Sequence, residues 1–289
     1  MEIVLGKYGG FCFGVKRAIQ LAFEKGERHD GSIYTLGPII HNPQVVEKLD
    51  SLGVREVSDL DEVANPSESA VIIRSHGVGP QVYDRALAMG VAVEDATCPY
   101  VKRIHSIVTD LVAQEYQVLI VGEPDHPEVV AIKAYAGEHG VVVEHPSDLE
   151  SIKLARKTGV VAQTTQSQEK LQQVVSALLA KRNSEVRIFN TICDATDVRQ
   201  KEAVEIASGS DVVLVIGGRK SGNTNRLAEI CIGIQPDTYH IETAAELQTE
   251  WFRGKQRVGI TAGASTPDYL ISEVIEVLQR ISRENSGKT

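Results

Sequence analysis

GGFCFGVKRA (residues 9–18) sets Cys12 directly ahead of a run with helical spacing, Val15, Ala18, Ile19 and Ala22. The arrangement returns twice. Cys98 opens CPYVKRIHSIVTDLV with Lys102 and Arg103 behind it, and Cys193 opens CDATDVRQKEAVEIA with Arg199 and Lys201 in the corresponding turns. A cysteine at the start of a helix meets free backbone N–H groups and the positive end of the helix dipole, and both favour a thiolate. No two cysteines form a CxxC pair, so any site they share has to be assembled by the fold. Three thiolates from three similar segments is the pattern around which the chain reads.

The repeat extends past the cysteines. At nearly constant spacing behind each one, an apolar run ends at a glycine: Tyr34-Thr-Leu-Gly37, Val118-Leu-Ile-Val-Gly122 and Val213-Leu-Val-Ile-Gly217. Polar turns follow, GPIIHNP, GEPDHPE and GGRKSGNTN, then a second helical stretch. Another apolar run then ends in small polar residues: VIIRSHG (71–77), VVAQTTQS (160–167) and VGITAGAST (258–266). Strands apolar throughout, alternating with helices, predict parallel sheets covered on both faces. Ligands in such α/β folds bind beyond the carboxyl ends of the strands, where all these turns lie. The expected architecture is α/β: three similar small parallel-sheet units around a pseudo-threefold axis, their loops facing a central cavity. The units are expected at 13–97, 98–192 and 193–282. The N-terminal strand within residues 1–12 packs with either the first or the third. The polar tail SRENSGKT, after Ile281, is expected to fray.

With 289 residues, 42% hydrophobic and 24% charged, the chain can bury a sizeable core. No apolar run reaches the roughly 20 residues of a membrane span, and MEIVLGKYGG has no signal or transit character, so a soluble cytoplasmic protein is expected. A net charge of −9 argues against a nucleic-acid partner. In that compartment four cysteines point to metal binding or catalysis rather than disulfides. Cys231 stands apart, since Leu227, Ile230 and Ile234 around it have helical spacing and predict a buried structural thiol.

Converging Cys12, Cys98 and Cys193 could hold a four-iron cluster with one iron free, or zinc in an open site. His41, His76 and His126 each sit on a strand-end turn. His29, His105, His139, His145 and His240 do not. In His126-Pro127-Glu128 a proline fixes the backbone between a hydrogen-bond donor and a proton carrier. Thr164, in QTTQ, adds a hydroxyl. Ser221, Asn223 and Ser265 stand in small donor-rich turns suited to phosphate oxygens, although ordinary turn chemistry would also place them there.

Taken together, GGFCFGVKRA, TLGPIIHNP, IIRSHG, DATCPYVK, HPEV, QTTQ, NTIC, GGRKSGNTNRL and GASTPD resemble the LytB/IspH family, the 4-hydroxy-3-methylbut-2-enyl diphosphate reductases. The resemblance runs in motif order from about residue 3 to 280. It implies a three-lobed fold and a 4Fe–4S cluster on Cys12, Cys98 and Cys193 with an open apical iron for the substrate hydroxyl. It implies that His41, His76, Ser221, Asn223 and Ser265 hold the diphosphate, with His126 in the same pocket and Glu128 and Thr164 beside the allylic hydroxyl. The family's usual Ser-Ser-Asn is Ser221-Gly222-Asn223 here, so Gly222 can offer only its backbone N–H. The implied reaction removes that hydroxyl as water with two electrons and two protons, giving isopentenyl and dimethylallyl diphosphates at the end of the methylerythritol phosphate route.

The basic residues behind the cysteines (Lys16, Arg17, Lys102, Arg103, Arg199 and Lys201) read either as a solvated helix face or as a collar for an acidic ferredoxin or flavodoxin. The competing functions are a redox-neutral hydro-lyase using the open iron as Lewis acid, an iron–sulfur sensor, and a zinc hydrolase.

Overall fold

The computed structural model describes residues 1–28, 31–181 and 185–286; His29 and the last three tail residues lie outside them. From the N-terminus, β1 (Glu2–Leu5) leads through the Cys12 turn into α1 (Phe13–Arg28). There follow β2 (Ile33–Leu36), α2 (Pro43–Asp50), β3 (Val54–Val57), β4 (Ala70–Ile73), α3 (Pro80–Met89) and β5 (Ala92–Asp95). The order then recurs as α4 (Pro99–Ala113), β6 (Gln117–Val121), α5 (Pro127–Ala136), β7 (Gly140–Val143), β8 (Lys157–Ala162), α6 (Gln168–Leu179) and β9 (Glu185–Ile188). It closes as α7 (Asp194–Ser208), β10 (Val212–Ile216), α8 (Gly222–Ile234), β11 (Thr238–Ile241), β12 (Arg257–Ala262) and α9 (Asp268–Ser286). α9 thus carries helix five residues beyond Ile281, into the polar tail.

Among the described residues the strands form three four-stranded sheets, and every pairing is parallel. Their orders are β3-β2-β4-β5, β7-β6-β8-β9 and β11-β10-β12-β1. Set side by side, these are one topology: two central strands, the first flanked by the strand that follows it. The fourth strand is the one that runs into a cysteine. In the third sheet that position is filled by β1, in register Glu2↔Arg257 to Leu5↔Ile260.

The central strands are rich in β-branched residues and, past Gln117, Lys157 and Arg257 at their starts, buried on both faces; Val212–Ile216 are all fully buried. In the second sheet the alternation is clear. Leu119, Val121, Val160 and Ala162 pack against Leu171, Val174 and Leu178 of α6. Val118, Ile120 and Val161 pack against Ile104, Val108 and Ile132 of α4 and α5. The chain folds as two compact units. One comprises Met1–Phe13, His41–Val45 and everything from Asp194, and carries the third sheet. The other comprises Gly14–Ile40 and Val46–Cys193, and carries the first and second sheets. No helix among the described residues is long and apolar enough to cross a membrane.

Candidate active site

Each cysteine immediately precedes a helix, and Cys98 is itself the cap residue of α4 with Pro99 in the first turn. All three are free thiols and partly exposed. The same backbone bond anchors each of them. The Cys12 N–H donates to the Ala264 carbonyl at 3.0 Å, Cys98 to Ser75 at 2.9 Å and Cys193 to Thr164 at 3.1 Å. In every case the acceptor stands two residues past the end of the neighbouring central strand, β12, β4 or β8. The acceptor's turn is closed alike in all three sheets, by Gly77 N–H to Arg74, Gln166 to Gln163 and Thr266 to Gly263, at 3.0–3.1 Å. The glycines that end β2, β6 and β10 also recur, with Gly37, Gly122 and Gly217 donating to the ends of β3, β7 and β11. These bonds fix each cysteine's backbone to the sheet.

Glu128 lies in the first turn of α5 and is 2% exposed. One carboxylate oxygen accepts the Thr164 N–H at 2.6 Å and the other the Thr164 hydroxyl at 2.7 Å. Burial pushes its pKa up to about 7, against the opposing pull of the Thr164 bonds, with Glu123 adding a small upward push. A carboxyl titrating there can hold or release a proton near neutrality. Thr164 joins this acid to the cysteine loop, since its side chain and N–H hold Glu128 while its carbonyl holds Cys193. His126 caps α5, its Nδ1 accepting the Glu128 N–H at 3.2 Å, so the proton of the neutral ring sits on Nε2. The His76 ring stands edge-on to His126, centroids 5.4 Å apart.

In the other unit Ser221 caps α8, its hydroxyl accepting the Thr224 N–H and receiving a bond from the Ser265 hydroxyl at 3.3 Å. Asn223, in the first turn of α8, is 5% exposed, and neither its amide oxygen nor its nitrogen meets a partner among the described residues. A buried amide left without bonds costs roughly 1–3 kcal/mol. Such a group is suited to a polar ligand. The His41 carbonyl lies so close to Gly218 that a side chain there would collide with it, at 2.3 Å.

Cys231 is fully buried in α8, as its spacing predicts, and burial pushes its thiol up to about 12. The basic residues fare differently. Arg199 is not on a solvated face: it is 6% exposed and donates to the Gly10 and Ala195 carbonyls. Thr196, Arg199, Ala203, Ile206 and Ala207 form one buried stripe on α7, a spacing present in the sequence but masked by grouping Arg199 with Lys201 as charges. Lys102 pairs with Asp95 and Lys201 with Asp197, while Lys16 and Arg103 are exposed. Sequence reading also passed over Gly14. A Cβ there would stand 2.6 Å from Cys98 Sγ, so the first turn of α1 forms a wall of the Cys98 pocket.

Three all-parallel sheets of one topology, each sending a cysteine loop off its fourth strand, define a class of α/β protein built by repetition around cysteine-bearing strand ends. Within that class, the chain belongs to the LytB protein family, whose profile matches residues 3–279. A relative from Geobacter sulfurreducens is 52% identical over 287 residues, 99% of this chain and all of the relative. One from Pelobacter propionicus is 50% identical over 285 residues, with 99% and 100% covered. Both are named 4-hydroxy-3-methylbut-2-enyl diphosphate reductase. Similar solved structures include (E)-4-hydroxy-3-methyl-but-2-enyl diphosphate reductase, the terminal enzyme of the non-mevalonate pathway (46% identity, 97% of this chain and 100% of that chain, TM-score 0.71). The Plasmodium falciparum E-1-hydroxy-2-methyl-but-2-enyl-4-diphosphate reductase is another (27%, 96% and 87%, TM-score 0.91).

Proposed function

We propose that this chain is an oxidoreductase that converts (E)-4-hydroxy-3-methylbut-2-enyl diphosphate to isopentenyl and dimethylallyl diphosphates, the activity for which its relatives are named. The allylic C–O bond breaks, two electrons and two protons enter, and the oxygen leaves as water. The family is one of iron–sulfur enzymes, and the residues suit such a group. Three soft thiol donors are free of disulfides, partly exposed, and each held by its backbone at a helix start. Cys12, Cys98 and Cys193 would hold a 4Fe–4S cluster, which when bound supplies electrons and an open iron acting as Lewis acid toward the substrate hydroxyl.

The observation that carries the reading is the Glu128–Thr164–Cys193 chain of bonds, which ties an acid of pKa about 7 to the loop of a cysteine. Hydroxide is a poor leaving group, and protonated Glu128, steadied by Thr164, delivers the proton that lets it depart as water. The diphosphate is bound by His41, His76, Ser221, Asn223 and Ser265, with His126 donating through Nε2. Each bond to a charged oxygen contributes roughly 1.5–3 kcal/mol. Reduced ferredoxin or flavodoxin is the proposed electron donor, and a reducing cytoplasm suits free thiols.

The test is anaerobic purification with iron and sulfide analysis, then turnover of the hydroxylated diphosphate with a reduced dye. Glu128→Gln should keep the iron spectrum and substrate binding and lose turnover by a factor of about 100 or more. Normal turnover in that variant removes Glu128 from the mechanism, and redox-neutral dehydration would favour the hydro-lyase.

A further inference from the structure

Two of the three cysteine loops are held by an arginine from a helix that itself follows another cysteine. Arg17 lies in α1, behind Cys12 in sequence. Its terminal nitrogens donate to the Thr97 carbonyl at 3.1 Å and the Asp95 carbonyl at 3.2 Å, on the short segment that leads into Cys98. The Asp95 carboxylate accepts the Thr97 N–H at 2.9 Å and pairs with Lys102 of α4 at 2.6 Å. Segment 95–97 is thereby pinned from both sides.

Arg199 lies in α7, behind Cys193, and reaches the Gly10 carbonyl at 2.9 Å, two residues ahead of Cys12. Its other terminal nitrogen donates to Ala195 at 2.7 Å. One turn on, the Glu202 carboxylate accepts the Lys7 and Tyr8 N–H groups. A guanidinium is always charged, and a buried charge is costly unless its bonds compensate. The neighbours of Arg199 on the buried stripe are threonine, alanine and isoleucine, so an apolar side chain would pack there at lower cost. A charge kept at this position, with its bonds directed at the Cys12 loop, has a positional task.

We propose that Arg17 and Arg199 are positioning residues that set the backbone of Cys98 and Cys12, respectively, for the iron–sulfur cluster. The inference rests on the assignment of these cysteines as ligands. Each arginine acts through a carbonyl just before the cysteine: holding that peptide plane fixes the direction from which the thiolate is presented. The helix behind one ligand thereby sets the loop of the next.

The test reads thiols one by one. Apoprotein is treated with iodoacetamide and alkylation rates at the four cysteines are resolved by peptide mass mapping for wild type, Arg17→Gln, Arg17→Lys and Arg199→Gln. Arg17→Gln should change the Cys98 rate roughly fivefold or more, with Cys12 and Cys193 near wild type and Arg17→Lys in between. Arg199→Gln should change Cys12 selectively. Unchanged rates at Cys98 and Cys12, or all thiols shifting together, overturn the proposal. Reactivity appearing at buried Cys231 in Arg199→Gln overturns it for Arg199 by showing a role in general packing. On loaded protein Arg17→Gln and Arg199→Gln should both lose iron to a chelator faster than wild type at unchanged circular dichroism. Wild type that binds no iron, with the variants still showing the cysteine-selective change, would refute the cluster and leave the positioning intact.

Discussion

At neutral pH the Glu128 carboxyl sits close to its own midpoint, which makes it both an acid and a liability. Its pKa is about 7 in the fold and near 4.5 when unfolded. Between those values the folded state holds a proton that the unfolded chain has released, so the protonated acid's contribution is complete below about 4.5 and fades as pH rises through 7. Wild type should therefore lose stability relative to Glu128→Gln across that window, by up to about 3 kcal/mol, in urea titrations at successive pH values. Parallel curves for the two proteins would contradict the raised pKa. Asn223 offers a complementary measurement. Its amide has no partner among the described residues, so Asn223→Ala should leave Tm unchanged or higher while raising KM about tenfold or more. Loss of stability with normal KM would make Asn223 a structural residue. His76, His126 and Glu128 could be singled out from sequence because each stands beside a strand-ending turn. Arg199 could not, while it was read as a charge rather than as a member of the stripe Thr196, Ala203 and Ile206.

Among elements, the helices behind the cysteines and the glycine-ended strands were legible because their signals are local: 3.6-residue spacing, apolar β-branched runs and turn residues. The partner of β1 was not. EIVL has four residues and no local mate, and its pairing with β12 joins distant ends of the chain. That pairing makes the Cys12 loop equivalent to the other two, each anchored to its neighbouring strand end by one backbone bond. The close approach of α1 to Cys98 was equally hidden, since a glycine in a helix start looks like mere tolerance. Gly14→Ala should favour α1 by up to about 1 kcal/mol on propensity alone. The new methyl would meet Cys98 Sγ, however, and force the thiol aside. Bound iron per chain should fall while helicity by circular dichroism does not. Full iron content in this variant would mean that the thiol can yield without cost.

For the whole molecule, −9 at neutral pH is an awkward background for a diphosphate. Charges more than about 8 Å away are largely screened at physiological salt, so a handful of local donors outweighs the global field. Repetition supplies the rest: three sheets of one topology present three cysteines on equivalent loops, and the acids, amides and histidines on their neighbouring turns differ from sheet to sheet. The central claim is that Cys12, Cys98 and Cys193 together hold one four-iron cluster with a single iron left for substrate. Mössbauer spectroscopy of anaerobically prepared protein, recorded with and without the hydroxylated diphosphate, tests it most directly. The account predicts one iron distinct from the other three, whose signal alone shifts when the diphosphate is added. Absence of iron, or four equivalent irons indifferent to the diphosphate, would contradict it.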